Sequence, residues 1–378
     1  MSSLIAQVRL VDPAPARSVP VPATDPRPLP DATGRGRDPL ERLTLAGGGR
    51  TWTLPEVLDE LAWSALVVVR DGALVHEAYA DDVAADTRLL GASATKSALA
   101  HLVGRAVVAG ELDLDAAAEV LAPELRGTGY ADVPVRDLLR MTSGTDWVED
   151  HRDPAGPASR LVSAALTGVG SVRDPATRVG RGAAPGTRWR YSSADSQVLD
   201  LVRERATGRS FAADLTRLWA DLGCEHDALV LVDGDGVAFA GGGLAATARD
   251  WARLGLLQLD GRGTASRPLL DAAWLGTTSR PALPFTRPGR LPSTISTHVG
   301  FGGHWWPLDD AGRRVAADGS RGQFVAVDAP SRTVVAWLCR WAYDDAWHDR
   351  ACRDLAYLAL AAVLDAGAGP THDREDPP

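Results

Sequence analysis

The residues that invite chemistry sit in "GASATKSALA", Gly91 to Ala100. Lys96 is the only lysine of the chain, although Lys and Arg together number 40. Arginine keeps its proton at any working pH, whereas a lysine gives it up when its surroundings disfavour the charge. Ser93 stands three residues before it, and on a helix that spacing puts both side chains on one face. Burial and the positive end of a helix dipole would both favour the neutral amine. Such an amine could take the Ser93 proton and turn the hydroxyl into a nucleophile. Ser-x-x-Lys is a weak pattern by itself, and a surface lysine near a helix start is the competing reading.

These groups need elements to hold them. After Gly91, the residues Leu99, Leu102, Val103, Ala106 and Val107 recur at helical spacing, and Gly110 fits the helix end. "SALVVVRDGALVHEAYA" reads as a β-hairpin turning at Asp71-Gly72. Residues 324–327 and 333–338 read as strands joined by a turn at 328–331, and "DDAWHDRACRDLAYLALAAVLDA" reads as a long amphipathic helix. The stretch between these ends is mostly helical and loop-rich. The pattern predicts an α/β (α+β) architecture, with an antiparallel sheet from both termini flanked by helices. A mostly helical second lobe would be inserted at about 115–240, leaving a cleft between the lobes. Residues 1–50 are rich in proline and predict an extended or disordered arm. The catalytic domain would then span 51–366, with a loose tail at 367–378.

The bulk of the sequence narrows the function. At 378 residues, 45% hydrophobic and 24% charged, the composition is globular. The net charge of −9 and the lack of a basic, aromatic-interleaved cluster argue against a nucleic-acid partner. No apolar run is long enough to span a membrane. The first residues lack a charged stretch followed by an apolar one, so a cytoplasmic location is expected. Cys224, Cys339 and Cys352 are widely spaced and are expected to be buried thiols rather than a disulfide framework. His298 and His304 have no matching partners for zinc, and no metal or organic cofactor is expected.

Several segments, taken in order, carry a resemblance. They are "ASATKS", "GELDLDAAAEVLAPEL", "VPVRDLLRMTSGTDW", "PGTRWRYSSADSQVL", "GGGLAATARDWARLG", and "GFGGHWWP" followed by "DGSRGQFVAVD". In these the chain resembles the serine β-lactamase-related hydrolases, which include class C β-lactamases, penicillin-binding DD-peptidases and carboxylesterases. It looks most like their 6-aminohexanoate-dimer hydrolase branch. The resemblance covers roughly residues 60–360 and implies a β-lactamase/transpeptidase-like fold.

By that resemblance Ser93 is the nucleophile, Lys96 its base and Tyr191 a proton relay. Ser193 stands where the family often has asparagine, which weakens a β-lactamase assignment more than a hydrolase one. The third motif falls on Gly319, Ser320, Arg321, Gly322 and Gln323, where lactamases and peptidases place a cation for a substrate carboxylate. Arg321 is the cation available there. The glycines allow close approach of a substrate, and the oxyanion would be held by the backbone N–H groups of Ser93 and Ser320. Trp305 or Trp306 would wall the pocket. Asp146, Trp147 and Glu149 follow the "MTSG" segment, near the family's substrate site, where a solvated loop face is the alternative. The deacylating glutamate of class A lactamases has no counterpart, so Tyr191 and Lys96 would activate the water. The implied activity is cleavage of a small-molecule amide or ester through an acyl-serine. An acyltransferase or cyclase, a lactamase or DD-peptidase, and a non-catalytic binding protein are the alternatives.

Overall fold

The computed structural model describes residues 8–13, 17–34, 40–265, 267–343 and 346–367. In chain order, β1 (Ser18–Val21), the hairpin of β2 (Thr44–Gly47) and β3 (Arg50–Thr53), and the short helix α1 (Leu54–Glu60) come first. The apolar run that follows forms β4 (Trp63–Arg70), which turns back into β5 (Ala73–Tyr79). The turn is where the sequence places it: Asp71 has φ +47° and Gly72 φ +77°, the left-handed pair a tight hairpin requires. A two-residue strand, β6 (Leu89–Leu90), leads into helix α2 (Thr95–Val108).

The next stretch holds six helices: α3 (Ala118–Leu121), α4 (Val135–Leu139), α5 (Pro157–Thr167), α6 (Asp174–Thr177), α7 (Ser193–Thr207) and α8 (Phe211–Leu222). Strands β7 (Ala228–Leu231) and β8 (Leu244–Ala246) precede α9 (Ala248–Asp260) and α10 (Ala272–Ser279). The chain closes with β9 (Trp306–Pro307), β10 (Arg314–Gly319), β11 (Gln323–Asp328), β12 (Thr333–Cys339) and α11 (Ala346–Gly367).

The main sheet is antiparallel with strand order β5-β4-β12-β11-β10-β9, so both ends of the chain build it. It is covered on both faces. Along β4, Ala65, Val67 and Val69 enter one core, while Leu66 and Val68 enter the other. β12 divides the same way, with Val334, Ala336 and Leu338 opposite Val335, Trp337 and Cys339. The two-residue period with apolar groups on both faces explains why these strands read as unbroken apolar runs. α11 and α1 cover one face, and α9 packs on the other.

A second sheet of order β1-β7-β8-β6 has no counterpart in the sequence reading. Its strands are two to four residues long, too short to show alternation. It also captures part of the N-terminal arm. β1 pairs antiparallel with β7, and the Leu10 carbonyl accepts from the Leu90 N–H at 2.8 Å. Residues 368–378 of the predicted tail lie outside the described residues. All three cysteines are buried. Among the described residues, no helix is long and apolar enough to cross a membrane.

Candidate active site

β6 delivers the chain to a tight turn that holds Ser93. The Gly91 N–H donates to the Leu244 carbonyl at 2.9 Å, and Ala92 adopts φ +44°. Ser93 lies in a single 3₁₀ turn, Ala92–Ala94, that runs straight into α2. Two glycines make the packing possible. A Cβ on Gly91 would sit 2.2 Å from the Trp251 ring, and one on Gly319 would sit 2.2 Å from the Gly91 carbonyl. The end of β10 therefore rests on the Ser93 turn and brings Ser320 beside it.

Lys96 is buried, with 3% of its surface exposed, while Ser93 stays half-buried and reachable. The Lys96 Nζ has three oxygen neighbours: Ser93 Oγ at 3.1 Å, Ser193 Oγ at 3.1 Å and the Gly241 carbonyl at 2.6 Å. Burial pushes the amine down to about 8, against the nearby Glu149 charge, which favours the ammonium. Tyr191 stands over the same group, its ring centroid 5.1 Å from Nζ. The ring stacks on Trp306 at 5.9 Å and 21°. Burial first, and then the Glu149 charge, keep the phenol protonated, while its hydrogen bond with Ser93 acts the other way.

The start of α7 sets Tyr191 and Ser193. Ser192 caps the helix by accepting from the Asp195 N–H at 2.9 Å. The Asp195 carboxyl is in turn gripped by the hydroxyls of Ser192 (2.8 Å), Tyr130 (2.8 Å) and Ser143 (2.9 Å). Burial pushes Asp195 up to about 7 in spite of these three donors. Ser143 belongs to the "MTSG" segment, so this knot ties that segment to the tyrosine segment.

Glu149 is the residue that the sequence left undecided. Its Oε1 accepts from Ser193 Oγ at 2.6 Å, and its Oε2 from the Ser193 N–H at 2.8 Å and from Trp147 Nε1 at 2.6 Å. His151 Nε2 lies 3.3 Å from Oε1. Burial alone would raise this carboxyl, but the hydrogen bond and charge of His151, the Lys96 charge and the Ser193 N–H outweigh it and hold it at about 2.

Two cavities meet at Ser93. One, of about 60 Å³, is mostly apolar, walled by Val8, Leu10, Leu90, Val162, Leu166 and Phe239 among others. The other, of about 260 Å³, has mixed walls, with Tyr191, Trp306, Asp318, Tyr343, Asp349 and Arg353 among them. Ser93, Glu149, His151 and Ser320 line both. Arg353 is paired with Asp318 and, at 3.0 Å, with Asp349.

The structure brings together Ser93, Lys96, Tyr191, Ser193, Gly319, Ser320 and Trp306. Arg321 lines the smaller cavity as well, while Gly322, Gln323, Trp305 and Asp146 line neither. Arg321 has φ +61°, and its guanidinium donates to the carbonyls of Val8 (2.8 Å), Trp341 (2.8 Å) and Arg340 (3.2 Å). It secures the N-terminal segment at the wall of the smaller cavity. Gly322 packs where a Cβ would meet the Trp341 ring at 2.3 Å, and Gln323 donates to the Cys339 carbonyl at 2.6 Å, so both shape the turn. Trp305 is fully buried against His101 at 5.5 Å and lines neither cavity, because alternate residues here face opposite ways. Asp146 is exposed and accepts from the Gly180 N–H at 2.9 Å, pinning a loop outside both cavities. His304 bonds the Leu139 carbonyl at 2.6 Å and Ser196 Oγ at 2.9 Å. Among the described residues no group of three His, Cys, Asp or Glu is placed to hold a metal ion. The Gly241 carbonyl and the arm residues Val8 and Leu10 were not foreseen, because a backbone oxygen and a distant chain segment leave no local pattern.

Comparison with known proteins shows the family of the chain. The profile of the family described as Beta-lactamase matches residues 61–359. The 6-aminohexanoate-dimer hydrolase of Paenarthrobacter ureafaciens is 30% identical over 357 residues, covering 89% of each chain. A solved structure from Bacillus anthracis, provisionally assigned as a 6-aminohexanoate-dimer hydrolase, superposes with a TM-score of 0.76 at 20% identity, over 96% of this chain and 93% of that one. EstCE1, described as a hydrolase with promiscuous acyltransferase activity, superposes with a TM-score of 0.63 at 18% identity, over 80% and 96% of the two chains.

Proposed function

The chain belongs to the beta-lactamase family and is a serine hydrolase of that family, and on this premise we propose that it cleaves a small amide or ester through an acyl-Ser93 intermediate. The observation that carries the proposal is a buried amine, pushed down to about 8, lying 3.1 Å from Ser93 Oγ. In its neutral form Lys96 takes the hydroxyl proton as Oγ attacks the carbonyl carbon. Charge then develops on the carbonyl oxygen, and the backbone N–H groups of Ser93 and Ser320 meet it. Tyr191, hydrogen-bonded to Ser93, passes the proton to the leaving amine or alcohol. In the second half the same groups run in reverse: a water gives its proton to the Tyr191–Lys96 pair as it attacks the acyl carbon, and the pair returns that proton to Ser93 Oγ as the C–Oγ bond breaks and the acid leaves.

The charges around Ser93 support an amidase or esterase over a lactamase. Arg321 is engaged with three carbonyls, and Arg353 is engaged with two carboxylates. Both line the cavities at Ser93, yet both are already held by protein oxygens, which disfavours a role in binding a substrate carboxylate next to the scissile bond. With the relative's name extended to this chain, the substrate class is a short linear oligoamide or a matching ester. The direct test is mass spectrometry of the folded protein after exposure to a fluorophosphonate, followed by turnover assays on 6-aminohexanoate dimer, p-nitrophenyl esters and nitrocefin. A single adduct on Ser93 and turnover of the first two substrates are expected. An unlabelled Ser93 would sink the proposal.

A further inference from the structure

The mechanism uses Lys96 but leaves open which way its lone pair points, and the hydrogen-bond count around Nζ answers that. This step rests on the reading of Lys96 as the base for Ser93. Glu149 Oε1 lies 2.6 Å from Ser193 Oγ. An ionised carboxylate only accepts, so the one hydroxyl hydrogen of Ser193 is committed to Glu149. Toward Lys96, 3.1 Å away, Ser193 is then left only as an acceptor. The Gly241 carbonyl, 2.6 Å from Nζ, is also an acceptor only.

A neutral amine has two hydrogens and one lone pair. Both hydrogens are claimed, one by Ser193 Oγ and one by Gly241. The lone pair is left for the third neighbour, Ser93 Oγ, at 3.1 Å. We propose that Glu149 is a positioning residue which, by holding Ser193 as an acceptor, turns the Lys96 lone pair onto the Ser93 hydroxyl.

The state it prevents is a specific one. If Ser193 were free to rotate, its hydroxyl could donate into the Lys96 lone pair, and the base would be occupied by the wrong serine. Glu149 excludes that state because its carboxylate is itself clamped, by the Ser193 N–H at 2.8 Å and Trp147 Nε1 at 2.6 Å. Once Lys96 has taken the Ser93 proton, its three hydrogens face three oxygens and no hydrogen bond need break.

Charges face these groups from several elements. Glu149, Tyr191 and His304 lie around Lys96; Lys96, His151 and Tyr191 lie around Glu149. The Glu149 charge favours the ammonium form of Lys96. Removing it must therefore move the acid limb of the rate profile to lower pH, while the loss of positioning lowers the plateau.

The test is a double-mutant cycle on kcat/KM for p-nitrophenyl acetate with the full chain, using Glu149→Gln, Ser193→Ala and the double variant. Each single variant is expected to lose about tenfold or more on the plateau. The double variant is expected to fall no more than about threefold below Ser193→Ala, because Glu149 acts through that hydroxyl. The acid limb should shift down in Glu149→Gln and stay in place in Ser193→Ala, a split that a purely structural defect would not produce. Multiplicative losses in the double variant, or a Glu149→Gln plateau within about twofold of the parent, overturn the proposal. Should Glu149→Gln fail to fold, Ser193→Ala decides alone, and parent-like activity there overturns it as well. Lys96→Arg separates the two levels: if it keeps full activity, the base assignment itself fails, whereas a dead Lys96→Arg beside multiplicative losses removes only the role of Glu149.

Discussion

The buried amine should be measurable as the acid limb of the pH–rate profile. The ammonium form of Lys96 cannot accept the Ser93 proton, and burial disfavours that form, pushing the group down to about 8. Activity is therefore present above this value and is lost as pH falls through it. At a value of about 8, the neutral amine makes up about a tenth of the protein at pH 7, half at pH 8 and about nine-tenths at pH 9. kcat/KM should rise about tenfold from pH 7 to pH 9 and then level off.

A solvated lysine near its ordinary value of about 10.4 would instead give a rise of about 100-fold over the same interval, with no plateau in sight. Two neighbours leave the limb undistorted. Glu149, held at about 2, is charged throughout, and Tyr191, raised by burial, keeps its proton. The assay is the initial rate on a p-nitrophenyl ester at limiting concentration, between about pH 6 and pH 10, read where both forms of the product absorb equally. The uncatalysed rate is subtracted, and circular dichroism confirms the fold at each pH. A rate independent of pH, or a midpoint above about 10, would refute the argument that burial neutralises this amine.

Four further substitutions test separate links. Lys96→Arg keeps a positive charge but loses the removable proton, so turnover should fall by at least about 100-fold while fluorophosphonate labelling of Ser93 slows in step. Tyr191→Phe keeps the stack on Trp306 and removes only the hydroxyl; amide hydrolysis should drop about 100-fold, and an activated ester, whose leaving group needs no proton, should drop much less. Gly319→Ala puts a methyl group 2.2 Å from the Gly91 carbonyl and must push β10 off the Ser93 turn; kcat should fall about 100-fold, with a melting point lowered by a few degrees. Asp146→Asn lies outside both cavities, so its kcat/KM should stay within about twofold of the parent, measured on the same ester.

Legibility followed the physics of each element. The hairpin of β4 and β5 was readable because an Asp-Gly turn imposes φ values that few other pairs tolerate. Strands β11 and β12 were readable as apolar runs joined by a turn, and helix α11 because its apolar periodicity runs for many residues. The small sheet was not, since β6 is two residues long and finds β8 across more than 150 residues of chain. Arg321 shows the same limit within the site. The sequence offers its charge, but the bonds of its guanidinium to the carbonyls of Val8, Trp341 and Arg340 appear only once the arm and β12 pack around it.

What the sequence by itself determined is the covalent chemistry available: one lysine, a serine one helical turn before it, and a tyrosine in an ordered motif. Helical spacing is a local property, so it could place Ser93 and Lys96 on one face without knowledge of the rest of the chain. What only the tertiary structure decided is the protonation and aim of that lysine. Burial to 3% exposure, the Gly241 carbonyl, Ser193 held by Glu149, and the walls lent by the arm all come from segments far apart in the chain. Desolvation and hydrogen-bond direction depend on which atoms surround a group, and that is settled when distant segments pack together.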